Sequence, residues 1–262
     1  MKLIKDKIEE IKANGYQIDF GTVFEHAFEN YKKIALYAGL ILMIFLIVFG
    51  FLLMAGAVSI FGIAKITEIL QPENLQPENF SPNFMLLYTL AVTLFTCLIS
   101  PFTAGFLKMA DCAEKGEEFH VATIFEYYKF PFFKEIFLAT FLITIAGSGL
   151  NLLLDYSGIK LLGAFISVGI SFLTFLSIPL IVFGNLKAIE AIKSSAILVS
   201  KQPLLLFGLV FVSGIASLTG LILFCIGIFF TIPFMYSMYY AIYESIIGID
   251  EAEVEKTNHH LS

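Results

Sequence analysis

The chain has no arginine, no tryptophan, four histidines, three cysteines and few charges: 15% of its 262 residues ionise as Asp, Glu, Lys or Arg. Without arginine it lacks the forked donors that read guanine edges and phosphates, so no nucleic-acid partner is expected. His26, His120, His259 and His260 fall into neither H-x-x-x-H nor HExxH spacing. A helical zinc or iron site of the kind a membrane oxygenase needs is therefore not expected. Cys97, Cys112 and Cys225 form no CxxC pair, and two of them lie inside apolar runs. They read as small buried hydrophobes, with a disulfide or metal site as the alternative. GxSxG, Walker and GxGxxG strings are missing too; the nearest, Ala146-Gly147-Ser148-Gly149, lies in an apolar run with no histidine to act as base. No catalytic constellation, metal site or cofactor is indicated, so the chain is expected not to be an enzyme. An intramembrane enzyme stands last among the readings.

What remains is oil. Hydrophobic residues make up 58% of the chain and the mean hydropathy is +0.86, whereas soluble domains are ~45–50% apolar and ~25% charged. Crossing the hydrocarbon core takes ~20 apolar residues in a helix. Apolar runs at 34–63, 84–106, 136–154 and 161–186 each suffice, and the run at 204–243 holds two crossings if it turns near Leu218-Thr219-Gly220. A re-entrant piece is the alternative for that run. The predicted fold is all-α: a polytopic bundle of six transmembrane helices in three repeated hairpins, with cytoplasmic amphipathic helices. Residues 1–33 form the first such helices, 34–246 the membrane domain and 247–262 an acidic, disordered tail. The N-terminus carries no cleavable signal pattern, so the first span is expected to act as an uncleaved anchor.

Lysine placement sets the orientation. Fourteen of the sixteen lysines fall before the first span, after the second, after the fourth or in the tail; only Lys65 and Lys160 lie on the other side. Both termini are therefore expected to face the cytoplasm.

The segments between spans repeat a signal. Thr22-Val23-Phe24-Glu25 reads as a capping box with Thr22 as N-cap, and Thr123-Ile124-Phe125-Glu126 copies it. Phe24, Ala27, Phe28 and Tyr31 then form a stripe expected to lie among lipid headgroups. Ile4, Ile8 and Ile11 share a face that stops at Asn14-Gly15, and Ile189, Ile192, Ala196 and Val199 share another. Three returning spans carry Ser100-Pro101, Ser177-Ile178-Pro179 and Thr231-Ile232-Pro233. Pro101, Pro179 and Pro233 are candidate hinges, static curvature being the alternative, with the neighbouring hydroxyls placed to serve the freed carbonyls. The loop at 70–84 copies Gln-Pro-Glu-Asn from 71 to 76 and reads as a solvated spacer or a ligand loop.

Two faces carry polar side chains through apolar spans. Thr140, Thr144, Ser148, Asn151 and Asp155 share one face of the third span; Gly163, Ser167 and Ser171 share one of the fourth. They either pack helix on helix or line a polar path with Asp155 at its outer mouth. Tyr236, Tyr239, Tyr240 and Tyr243 read as an aromatic belt at the membrane interface.

Residues 188–195 (AIEAIKSS), leading to Gly227, Pro233 and the tyrosine-rich end, resemble an uncharacterised bacterial and archaeal six-span family. That family is related to the membrane domain attached to some glycerophosphodiester phosphodiesterases. The likeness extends over residues 20–247, without the hydrolase domain. It implies a standalone inner-membrane bundle of a prokaryote. Two functions follow as expectations: a non-enzymatic envelope or lipid-associated protein with membrane lipids as partners, or a small-molecule transporter using the polar path.

Overall fold

The computed structural model describes residues 2–74, 76, 80–222 and 226–248. The second Gln-Pro-Glu-Asn copy, Cys225 and the acidic tail fall mostly or wholly outside these. Among the described residues the chain is helical throughout, without a strand: α1 (Lys2–Asn14), α2 (Phe20–Ile69), α3 (Pro82–Lys115), α4 (Val121–Ile124), α5 (Phe132–Tyr156), α6 (Lys160–Thr174), α7 (Ser177–Val182), α8 (Ala188–Lys201), α9 (Pro203–Leu218), α10 (Gly227–Thr231) and α11 (Pro233–Ile247). Among the described residues five stretches are long and apolar enough to cross a membrane: Phe20–Ile69, Asn83–Lys115, Phe132–Asp155, Leu161–Val182 and Pro203–Ile222.

The expected first span and its preceding surface helix are one helix. α2 runs 50 residues, roughly 75 Å at ~1.5 Å per residue against a hydrocarbon layer of ~30 Å. Its N-cap is Asp19, not Thr22: the Asp19 carboxylate accepts from the Thr22 amide at 2.8 Å and from its hydroxyl at 3.0 Å. These bonds hold the Asp19 carboxyl below the usual carboxylate range. Thr123 occupies the same third position in α4, where its hydroxyl accepts from the His120 amide. α4 is a single turn followed by a 3-10 turn at Glu126–Tyr128. Near residue 63, where the first span was expected to end, Gly62 breaks α2 with φ 75° and ψ 155°, angles open only to glycine at low cost.

The Phe24–Tyr31 stripe packs in part on protein. Phe24, Phe28 and Tyr31 surround the Phe234 ring of α11 edge-on, at 5.8, 6.3 and 5.3 Å. α11 is the central helix, touching both apolar cores. One core gathers α1, α5, α7, α8, α9 and most of α11 around Leu180, Leu198, Leu206 and Met238. The other joins α2 and α3 around Phe102, Phe106 and Tyr240. The tyrosine belt is corrected accordingly: Tyr240 and Tyr243 are fully buried, their rings packed against Phe183 of the segment after α7. Tyr236 and Tyr239 remain at the edge.

α1 ends before Gly15, which has φ 75°. Ile8 and Ile11 are buried in the first core. α1 is tied to α8 through Lys5 and Glu190 at 2.9 Å, and Tyr16 donates to the Leu198 carbonyl. On α8 the buried face is not the isoleucine face but Ala188, Ala191, Ser195, Leu198 and Val199. Small side chains let α8 come close enough for Ser195 to donate to the Leu173 carbonyl and accept from the Leu176 amide, mending the break between α6 and α7.

Candidate functional site

The densest polar constellation joins the first turns of α2, the last turns of α3 and the body of α11. Asn30 is fully buried. Its amide nitrogen donates to the Ala110 carbonyl at 2.8 Å and to Glu114 at 3.3 Å, and its oxygen accepts from Ser237 at 3.0 Å. One side chain thus ties three helices. His26 Nε2 lies 3.4 Å from Glu114 Oε1 and 3.2 Å from Glu244 Oε2, and Lys33 reaches Glu114 at 3.4 Å. Beside them Asp111, fully buried, takes Lys108 at 2.9 Å and Lys115 at 3.1 Å. Three lysines thus face three carboxylates. A buried carboxylate is tolerable only with such partners.

Nothing in this cluster was singled out in the sequence for chemistry. Asn30 and Asp111 look like ordinary polar residues near span ends, and only their joint burial makes them special. His26 does face two carboxylates, but its ring has 24% exposure. Among the described residues no group of His, Cys, Asp and Glu is arranged to hold a metal ion. The cluster can bind helices together and keep charge balanced; it presents no nucleophile with a base.

The expected polar path lies along α5 and α6. The Ser167 hydroxyl donates to the Gly147 carbonyl across the seam at 2.8 Å. Gly163 is so close to Asn151 that a Cβ there would sit 3.2 Å from the Asn151 Cα. Ser148 donates within its own helix to the Thr144 carbonyl. Thr140, Thr144, Ser148, Asn151 and Ser167 are half-buried, while Asp155 and Ser171 are exposed. The structure brings Asn151, Gly147, Gly163 and Ser167 together and leaves Ser171 outside.

The candidate hinges differ from one another. Pro101 sits inside continuous α3, and the carbonyl it frees, that of Cys97, receives the Ser100 hydroxyl at 2.9 Å, as the sequence suggested. Pro179 lies in the short α7, and Ser195 of α8 serves the Leu173 carbonyl and the Leu176 amide just before it; the buried Ser177 hydroxyl has no hydrogen-bond partner among the described residues. Pro233 opens α11 after the short α10, and Thr231 donates across to the Ser217 carbonyl.

A second feature lies on the outside. An open cavity of about 230 Å³ runs between α5, α6 and α8, bounded by Leu142, Ala146, Ile170, Ile189, Ile192 and Lys193. No family model, curated protein or solved structure matches the chain.

Proposed function

We propose that the protein is a non-enzymatic, multi-pass membrane protein whose working surface is its contact with lipid, set in the cytoplasmic membrane of a prokaryote with both termini inside. One observation carries this reading: the most deeply buried polar groups at the helix junctions are largely spent on one another, while long stretches of the remaining surface are hydrocarbon. Asn30 and Asp111 are consumed in the clasp of α2, α3 and α11, and Ser167 is consumed on the Gly147 backbone. From residue 43 to the end of α2 no residue is buried, and Ile47, Phe51, Ile60 and Ile63 are each more than 60% exposed. Apolar surface of that extent needs a non-aqueous cover.

In this reading the sixth crossing is the segment 226–247, with α11 as its well-packed part. The matched positions of Thr22 and Thr123 and the three Ser/Thr–Pro sites support a threefold hairpin repeat and, with it, the resemblance to the six-span family. All residues of the clasp lie on the lysine-rich side, which fits a cytoplasmic placement.

The transporter reading is separated by thiol accessibility. In Ser148→Cys, Asn151→Cys and Thr144→Cys variants reconstituted in vesicles, the lipid-associated reading expects protection from a charged, membrane-impermeant thiol reagent added to either side. Rapid labelling of all three would establish a water-filled route between α5 and α6 and overturn it.

A further inference from the structure

We propose that the cavity between α5, α6 and α8 seats an acyl chain of an anionic phospholipid, with its phosphate on Lys193. This rests on the lipid-associated reading and adds a site and a ligand class to it.

The wall is hydrocarbon. Leu142 and Ala146 of α5, Ile170 of α6, and Ile189 and Ile192 of α8 supply it. Thr174 turns its hydroxyl away onto the Ile170 carbonyl. At about 230 Å³ it is smaller than the ~300–1,000 Å³ of a site that encloses a whole small molecule. That suits a length of chain whose headgroup stays outside. The rim is apolar and open: Ile189 is 53% exposed and Leu142 37%.

The cation supplies the selectivity. Lys193 is exposed at the rim. Lys5 is engaged with Glu190, and Lys201 with the Lys12 carbonyl. Among the described residues no carboxylate pairs with Lys193. An ammonium group on a long apolar stem, beside an oily groove on the lysine-rich side, complements the phosphate of an inner-leaflet anionic lipid.

The groove is also held in shape. α8 is fixed at its start by the Ala188 amide on Glu135 at 2.8 Å, and mid-helix by Ser195 on the α6–α7 break. These bonds turn Ala191 and Ser195 inward and leave Ile189, Ile192 and Lys193 facing the cavity. A wall set before the ligand arrives avoids the ordering cost of binding.

The absence of tryptophan gives a clean reporter. A Leu142→Trp variant of the full chain, in bilayers of phosphatidylcholine, is titrated with chain-brominated phosphatidylglycerol or chain-brominated phosphatidylcholine, and tryptophan quenching is read. Phosphatidylglycerol should quench at about fivefold lower mole fraction, the ratio expected for one well-placed lysine. Lys193→Gln should bring that ratio to about one, and Lys201→Gln should leave it. Ala146→Phe, which fills the groove, should weaken quenching by both lipids. Equal quenching by the two lipids in the unaltered lysine background, or a preference that survives Lys193→Gln, overturns the site while leaving the lipid-associated reading in place. No quenching by either lipid would show that this face does not meet the bilayer, and both would fall.

Discussion

Replacing Asn30 by alanine should loosen the junction of three helices. Asn30 is wholly buried and makes three hydrogen bonds, to the Ala110 carbonyl, Glu114 and Ser237. A net hydrogen bond contributes ~0.5–1.5 kcal/mol, more to a charged acceptor, and a stranded buried donor costs ~1–3 kcal/mol. The Ala110 carbonyl sits inside α3 and Glu114 keeps Lys33 and His26, so most of the loss falls on Ser237, whose hydroxyl is left among apolar side chains. The expected destabilisation is about 2–4 kcal/mol, read as a shift in reversible unfolding in mixed detergent micelles. Ser237→Ala alone should cost less. The double variant should cost less than the sum of the singles, with a coupling of at least ~0.5 kcal/mol, because removing the hydroxyl removes the orphan. If Asn30→Ala falls within ~0.5 kcal/mol of the parent, or if the two changes add, the three-helix tie carries no energy and the argument is wrong.

Other consequences can be checked separately. Asp111→Ala leaves Lys108 and Lys115 half-buried without their carboxylate and should cost ~3–5 kcal/mol in the same unfolding assay; adding Lys108→Met and Lys115→Met should recover much of it. Gly105→Ala would drive a Cβ into the Ile124 backbone, so α3 and α4 must part, at ~1–3 kcal/mol, seen as faster exchange of the α4 amides. Lys5 holds the Glu190 carboxyl below its ordinary value of 4.5. That contribution to α1 docking is complete above the ordinary value and is lost as pH falls through the lowered one. The protection of the α1 amides, taken relative to the intrinsic exchange rate at each pH, should therefore fall on acidification below the ordinary glutamate range, and Glu190→Gln should abolish the change; an unaltered protection profile in Glu190→Gln would refute the tie.

The legible part of this molecule was whatever shows as periodicity. Apolar runs mark the long helices, and Asn14-Gly15 marks the end of α1. What periodicity does not show is which surface each apolar stripe meets. The Phe24–Tyr31 stripe looks the same whether it faces headgroups or the Phe234 ring of α11. Tyr240 and Tyr243 look like a belt until α11 is seen in the middle of the bundle. In an oil-rich chain, apolar residues have two satisfactory environments, lipid and protein, so hydrophobicity alone does not choose between them.

Polar residues do choose, because lipid refuses them, and they are where the tertiary structure is decided. Asn30 and Ser237 lie 207 positions apart in the chain, and neither has a local motif that announces the other. Ser195 is one serine in an unremarkable pair until it meets the frayed carbonyl and amide at the α6–α7 break. It also explains which face α8 buries. The helix buries alanine and serine because only a small, hydrogen-bonding side can close on exposed backbone, and this turns the isoleucines outward to form the groove beside Lys193. The same demand that fixes the packing therefore also shapes the oily hollow beside Lys193. The two are separable by experiment: Ser195→Ala should lower stability and loosen lipid discrimination together, whereas Lys193→Gln should abolish discrimination with stability intact. If Ser195→Ala leaves phosphatidylglycerol preference unchanged while lowering stability, the groove does not owe its shape to that repair.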